Sequence, residues 1–376
     1  MIYLDYAATT PLDPLVLEAM LPYFSEVFAN PSSLHGFGQK ARRGLETARE
    51  QVALAVGAKP KEVIFTSGAT EAINQVIRGI AAGRPEGHIL TSQLEHKAVL
   101  ASAEWLEARG TKVSYLAPDP SGQISPEAVR AALKADTVLV ALMLVNNETG
   151  VKTDIAAISK LVHEHGAYLF CDAVQAFAFQ EVKVYALGVD FMALSAHKMY
   201  GPKGVGALYI REGLALEPFM LGGEQERGFR AGTHNLASIV GMGKAAELAQ
   251  TRHGEDSVRL QNLKDAFEGE LLKIDGVRIN GNEAPRGPKH SNVQVLGVDG
   301  EALLLALDTM GVAASAGSAC AAGSLEPSHV LRAMGLSYED AKASIRFSLG
   351  RMVSEAMLEQ ATEVFQVAID RCRVFA

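Results

Sequence analysis

Asp190-Phe191-Met192-Ala193-Leu194-Ser195-Ala196-His197-Lys198 is an apolar run that stops on a histidine and a lysine. Asp190–Ser195 predicts a buried β-strand, because short continuous apolar runs mark strands covered on both faces. An upstream run, Ala167–Cys171, predicts a second strand and leads into Cys171-Asp172-Ala173-Val174-Gln175. Two parallel strands would deliver a lysine, an aspartate, a histidine and a glutamine to one sheet edge. A lysine with an acidic partner at such an edge is what a Schiff-base cofactor site needs. The amine joins the cofactor, and the carboxylate holds a pyridine nitrogen protonated. Read alone, Lys198 is a surface lysine after a strand, and the rest of the chain has to decide.

Further apolar runs surround these two. Strands are predicted at Glu62–Thr66, His88–Ser92, Lys112–Leu116, Thr137–Val145 and Gly204–Ile210, and helices at Lys97–Arg109, Pro126–Lys134 and Asp154–His165. Ser125-Pro126-Glu127 is a helix start, with serine as N-cap and proline at the first helical position. Seven apolar strands alternating with helices predict an α/β fold with a mostly parallel sheet flanked by helices. After about Gly241 the character changes. A helical stretch to Lys273 is expected to break near His253-Gly254. Strands follow at Asn292–Leu296 and Ser344–Leu349. In the latter, Ile345, Phe347 and Leu349 face one way and Ser344, Arg346 and Ser348 the other. That alternation predicts an antiparallel sheet in a smaller α+β domain.

The bulk numbers narrow the function. The chain has 376 residues, 48% of them hydrophobic, and a formal net charge of -8. An acidic balance argues against a nucleic-acid or anionic-membrane partner. The longest apolar stretch, Val138–Val145, falls far short of the roughly 20 residues that span a bilayer. Met1–Asp5 has no signal-like character. The three cysteines, Cys171, Cys320 and Cys372, have neither metal-ligand spacing nor a disulfide framework, so a reducing cytoplasm is expected and no intrinsic metal.

Several motifs carry chemistry. Thr66-Ser67-Gly68-Ala69-Thr70-Glu71 follows a strand and opens a helix, so Ala69 and Thr70 can offer backbone N–H groups to a phosphate; an ordinary capped turn fits equally. Asn147, in Asn146-Asn147-Glu148-Thr149-Gly150, can hydrogen-bond a phenolic oxygen or a substrate carboxylate, or simply form a turn. His96 can stack on an aromatic cofactor and shuttle protons, or merely start a helix. Gly201–Gly206 is glycine-rich but precedes a strand, so a dinucleotide loop fails its context test. His163 and His165, two apart on a helix, diverge and make no metal pair. Cys320 lies in Ser315-Ala316-Gly317-Ser318-Ala319-Cys320-Ala321-Ala322-Gly323-Ser324, a stretch of tiny residues that cannot pack a rigid core. A cysteine there is expected to be exposed and reactive, with an incidental loop cysteine as the alternative. Cys171 lies inside a strand and reads as an inert thiol. Arg346 can clamp a carboxylate bidentately, or be a surface arginine.

Taken in order, Tyr3–Pro11, Thr66–Glu71, Glu95-His96-Lys97, Asn146-Asn147-Glu148, Asp172…Gln175, Ser195…Lys198, Arg230–Thr233, Cys320, Ser324–Ser328 and Ser344–Gly350 closely resemble the NifS/IscS cysteine desulfurases. The resemblance covers essentially the whole chain. It implies a fold-type I, pyridoxal 5'-phosphate-dependent transferase, with a large cofactor domain at 15–255. Residues 1–14 with 256–376 would form the small domain, carrying a mobile cysteine loop at about 315–326. Lys198 would hold the cofactor and move the Cα proton, Asp172 would pair with the pyridine nitrogen, and His96 would stack on the ring as acid or base. Gln175 and Asn147 would meet the phenolic oxygen or substrate, and Ala69, Thr70, Ser195 and His197 the phosphate. Thr233 would reach the phosphate of a neighbouring subunit, which implies a homodimer. Arg346 would take the carboxylate of L-cysteine. Cys320 would attack the substrate sulfur, become a persulfide and pass sulfur to an acceptor such as an iron–sulfur scaffold, where it could transiently ligate a cluster. A selenocysteine lyase or an aminotransferase is the alternative reaction, and a non-catalytic partner protein of the same fold the alternative class.

Overall fold

The computed structural model describes residues 1–317 and 326–374. Cys320, the predicted nucleophile, lies outside the described residues. Twelve strands form among those described. They are β1 (Ile2–Tyr3), β2 (Val63–Thr66), β3 (His88–Ser92), β4 (Lys112–Leu116), β5 (Thr137–Met143) and β6 (Tyr168–Asp172). The rest are β7 (Phe191–Ser195), β8 (Gly206–Ile210), β9 (Val277–Ile279), β10 (His290–Val295), β11 (Val312–Ala313) and β12 (Ser344–Ser348).

The seven-stranded sheet runs in the order β2-β8-β7-β6-β5-β3-β4. Neighbours from β4 to β7 are parallel, whereas β8 lies antiparallel to both β7 and β2. The apolar runs fill two cores because strand residues alternate between faces. Leu139, Ala141, Phe170, Phe191 and Ala193 enter one core; Val140, Leu142, Leu169, Cys171, Met192 and Leu194 enter the other. Cys171 is wholly buried, and burial with nearby Asp172 and Glu95 pushes its thiol pKa up, as an inert thiol requires.

A second sheet, β12-β10-β9, is antiparallel throughout, as the alternation predicted. Its polar side is buried too: Ser344, Arg346 and Ser348 are enclosed like their apolar neighbours, which rules out the surface-arginine reading of Arg346. The N-terminal segment covers them: Ser348 N–H donates to Leu4 O, Ala7 N–H donates to Ser348 Oγ, and Arg346 pairs with Asp5. Buried polar groups stay where they find such partners.

The predicted break at His253-Gly254 is also corrected, since Leu236–Leu271 is one continuous helix. A helical glycine costs only about 1 kcal/mol, and packing against the helix Gly36–Val56 outweighs it. Gly243 makes that approach possible: a Cβ there would come within 2.6 Å of Ala48 Cα. No described helix is long and apolar enough to cross a membrane.

Candidate active site

The carboxyl ends of β2, β5, β6 and β7 point the same way, and the segment after β3 joins them. This is the crevice where open α/β sheets bind ligands. It opens as a cavity of about 490 Å³, lined by Thr70, His96, Asn147, Asp172, Gln175 and Lys198, with Ala69, Ser195 and His197 also on its wall. Nine predicted site residues are therefore brought together from more than a hundred positions of chain. Thr233 is not among them; it is exposed in the segment before Leu236. Arg346 does not line the cavity either.

Lys198 closes a short 3-10 turn, Ala196–Lys198, directly after β7. Its Nζ donates to Ala7 O at 2.5 Å and Ala8 O at 2.7 Å. The N-terminal segment thus passes beneath the lysine, held by Thr10 N–H donating to His197 O and by Gln175 Nε2 donating to Ala7 O. Asp172 ends β6, and its Oδ1 accepts from Val174 N–H at 3.0 Å. Burial raises its pKa, opposed by nearby His96 and Lys198.

His96 caps the helix Lys97–Glu107: its Nδ1 accepts from Ala98 N–H at 3.1 Å, which leaves the ring proton on Nε2. Burial lowers its pKa, opposed by Asp172 and reinforced by Lys198, so the ring is neutral at pH 7. Both readings of His96 are thus combined in one residue: it starts a helix and stands in the cavity.

The helix Ala69–Gly83 begins on the cavity wall without a side-chain cap. Its first N–H groups and the positive end of its dipole face the space. The turn is tightly packed from behind, since a Cβ on Gly206 would lie 2.7 Å from Gly68 Cα. Glu71, read as a possible cap, does accept from Ser67 N–H, and Arg230 pairs with it. His197 stands nearby with a pKa lowered to about 4 by burial and by Lys198, Lys203 and Lys289. An uncapped helix start amid several basic groups suits a phosphate dianion, and a buried carboxylate opposite suits a protonated pyridine. The residues present therefore fit pyridoxal phosphate.

Arg346 is fully buried, with one guanidinium nitrogen 2.7 Å from Asp5 Oδ1 and another donating to Asn147 O at 2.8 Å. Its Nε has no hydrogen-bond partner among the described residues. Four further groups went unassigned in the sequence. Glu95 is buried beside Asp172, takes a hydrogen bond from Ser92 Oγ at 2.6 Å, and has its pKa raised to about 8 by burial. Lys289 is buried with its amine over the Phe179 ring, 4.8 Å from the centroid. Glu148, next to Asn147, accepts from Ser328 Oγ, and His329 Nε2 lies 3.1 Å from Glu95 O, next to His96. Glu95 and Glu148 were visible as acids next to a predicted site residue; nothing local marks Lys289 or His329.

The class-V aminotransferase family profile matches residues 2–360. A cysteine desulfurase IscS from Dictyoglomus turgidum is 47% identical over 378 residues, covering 100% of this chain and 96% of the relative. A second, from Anaeromyxobacter dehalogenans, is 47% identical, covering 99% of this chain and 93% of its own. Among solved structures, a NifS-like protein superposes with a TM-score of 0.93 at 33% identity, over 98% of this chain and 99% of that one. The protein SspA in complex with cysteine gives 0.84 at 38% identity, over 93% and 99%.

Proposed function

The chain belongs to the class-V aminotransferase family, and from that premise we infer its reaction: it is a cysteine desulfurase that depends on pyridoxal phosphate. L-Cysteine is converted to L-alanine, and its sulfur is taken up by the enzyme. The observation that carries the site assignment is the meeting of Lys198, Asp172, His96 and an uncapped helix start in one cavity.

When bound, the cofactor supplies an aldehyde for an amine and an electron-withdrawing ring that acidifies the substrate's Cα. Lys198 is the amine that would hold it and the base that would take the substrate's Cα proton. Asp172 would keep the ring nitrogen protonated. His96, neutral with its proton on Nε2, would serve as acid or base beside the ring, a contribution of about 10²–10⁴. Ala69, Thr70, Ser195 and His197 hold the phosphate, while Asn147 and Gln175 meet the phenolic oxygen or substrate. Arg346, off the cavity wall and paired with Asp5, would have to exchange that pairing to bind the substrate carboxylate. Cys320, as thiolate, attacks the substrate sulfur: the S–S bond forms, the Cβ–S bond breaks, and its electron pair returns to carbon. Cys320 is left as a persulfide.

A homodimer is part of this reading: the exposed Thr233 would then complete the phosphate site of a second copy. Exposed Phe24, Phe28, Leu34 and Phe37 offer apolar surface for such a partner. We assign 15–255 to a cofactor domain and 1–14 with 256–376 to a small domain; the seven-stranded sheet lies within the first range, and the β12-β10-β9 and β1-β11 sheets within the second. The persulfide is passed to an acceptor protein, such as an iron–sulfur scaffold, in the cytoplasm.

Two variants test the assignment. Lys198→Ala is expected to lose both the cofactor's imine absorbance and sulfide release. Cys320→Ala is expected to keep the absorbance and lose sulfide release; full sulfide production from it would sink the persulfide route.

A further inference from the structure

We propose that His290 is a positioning residue for the cofactor: its Nε2–H holds the Gln175 amide so that Gln175 turns an N–H, not its carbonyl, toward the cavity. The proposal rests on the reading of Gln175 as a contact of the cofactor's phenolic oxygen, and deepens it.

His290 opens β10 and is wholly buried. Its register partner on β12 is Ser348, the residue whose Oγ takes the Ala7 N–H. The turn that carries Asn147 packs against it: a Cβ on Gly150 would lie 2.8 Å from His290 Cβ. Gly150 also has φ +78, so two constraints favour glycine there and leave the histidine its place. From that place Nε2 reaches Gln175 Oε1 at 3.3 Å.

The roles in this contact follow from the far side of the amide. Ala7 O can only accept, so the group facing it at 3.0 Å is the Gln175 nitrogen. Gln175 therefore turns its oxygen to His290, and an amide oxygen also only accepts. The imidazole must donate, which puts the ring proton on Nε2. With that proton on Nδ1, two acceptors would face each other, and flipping the amide would merely move the conflict to Ala7 O. A second ring proton has no place either. Nδ1 is buried without a hydrogen-bond partner among the described residues. Burial, with Lys289, Arg346, Lys264 and Lys198 nearby, holds the His290 pKa well below the usual histidine value.

Gln175 lines the cavity. One of its N–H groups goes to Ala7 O, and its oxygen is turned to a buried ring, which leaves the second N–H for the cavity. A donor there stabilises a ring oxygen that carries negative charge, whereas a carbonyl there would repel it. Ala7 O also accepts from Lys198 Nζ, so the amide and the lysine share one acceptor.

The experiment compares wild-type, Gln175→Ala, His290→Leu, His290→Gln and the Gln175→Ala/His290→Leu double variant as holoenzymes without substrate. The readout is the balance at fixed pH between two absorbance bands of the bound cofactor, ring oxygen ionised and ring oxygen protonated. His290→Leu should shift the balance about three- to tenfold toward the protonated band. Gln175→Ala should shift it by as much, and His290→Leu added to it should shift it no further. His290→Gln keeps an N–H donor and should restore most of the wild-type balance. An unchanged balance in His290→Leu overturns the proposal, and so does a His290→Leu shift that persists undiminished in the Gln175→Ala background. Should His290→Leu fail to fold, nitrogen-15 NMR of histidine-labelled wild-type holoenzyme decides: the proton is expected on Nε2, and finding it on Nδ1 overturns the proposal. An unchanged balance in Gln175→Ala alone instead overturns the underlying reading of Gln175.

Discussion

Lys198 and Ala7 stand 191 residues apart in the chain, and the lysine Nζ donates to the alanine carbonyl at 2.5 Å. The site therefore has a floor made of backbone from the far N-terminal end. Ser348 anchors that floor, since its Oγ accepts Ala7 N–H at 2.8 Å in a buried setting. Ser348→Ala should leave the N–H unpaired and cost about 1–3 kcal/mol. Urea denaturation measures the loss, and the same variant should release cofactor faster. Wild-type stability and retention together would refute the anchoring role.

His96→Gln should lower kcat by about 10²–10⁴ while leaving the folded chain intact. Glutamine can still accept from Ala98 N–H, so the helix start survives. Steady-state sulfide release separates the two roles; a loss of helicity by circular dichroism equal to the loss of activity would assign His96 to the cap alone.

Lys289 should destabilise the native state at neutral pH. Its amine is buried without a hydrogen-bond partner among the described residues, and burial, with Lys198 and Arg346 nearby, drives its pKa well below the usual lysine value. The unfolded chain therefore binds the proton that the folded chain refuses, and stability rises with pH toward the unfolded lysine value of about 10.4. Lys289→Met keeps the volume and should raise stability by roughly 1–3 kcal/mol at pH 7, with the gain shrinking toward pH 10. Denaturation midpoints at both pH values test it; a gain independent of pH would contradict a titrating amine.

The Arg49–Glu226 pair should be among the costliest to break. Glu226 accepts from Arg49 at 2.7 and 2.8 Å, from Phe65 N–H at 2.8 Å, and lies 2.7 Å from His234 Nε2. These contacts overcome burial and lower its pKa to about 2. Its contribution is present above the ordinary carboxylate pKa and is lost as the pH falls toward about 2. Glu226→Ala strips the buried Arg49 guanidinium of its bidentate partner, leaving only Glu46 and Val63 O, and should cost about 3–5 kcal/mol. It also releases a turn in which Glu226 and Arg227 have φ of 48 and 58, a strained conformation held only by its surroundings. A denaturation midpoint equal to wild type would rule this out.

His197 should give the cofactor-free chain an acid-side weakness. Its folded pKa of about 4 lies below the unfolded value of about 6.5. As the pH falls between these values the unfolded state gains the proton first, so native stability declines across that window. His96 and His88 shift in the same direction. Thermal midpoints should fall from pH 7 to pH 4, less steeply in His197→Gln and less steeply with bound phosphate cofactor. Identical slopes in wild type and His197→Gln would exclude it.

The legible part of the site was the part written locally. Lys198, Asp172, His96 and Thr70 each lie at or shortly after a strand's end, and a strand's end can be read from a short apolar run. Arg346 shows where local reading stops. Alternation identified β12 as antiparallel but left open what its polar side faces, because nothing near residue 346 announces that Asp5 covers it. Strand direction was equally hidden: Gly204–Ile210 reads as apolar whichever way it runs, yet β8 is the reversed strand of the large sheet. Lys289 and Glu148 acquire their character from burial by remote segments, which composition alone does not reveal. The glycine at 254 misled for the opposite reason, a local signal too weak to withstand packing along a long helix.

The threading of the N-terminus between β11 and β12 sets an order on the molecule's own manufacture. Ile2 pairs with Val312, and Leu4 bonds to Ala313 and Ser348. During synthesis the segment that carries β1 must wait for β11 and β12 before it can settle. A growing chain that has already made Lys198, Asp172 and the phosphate turn still lacks the strands that hold Ala7 and Ala8 beneath the lysine.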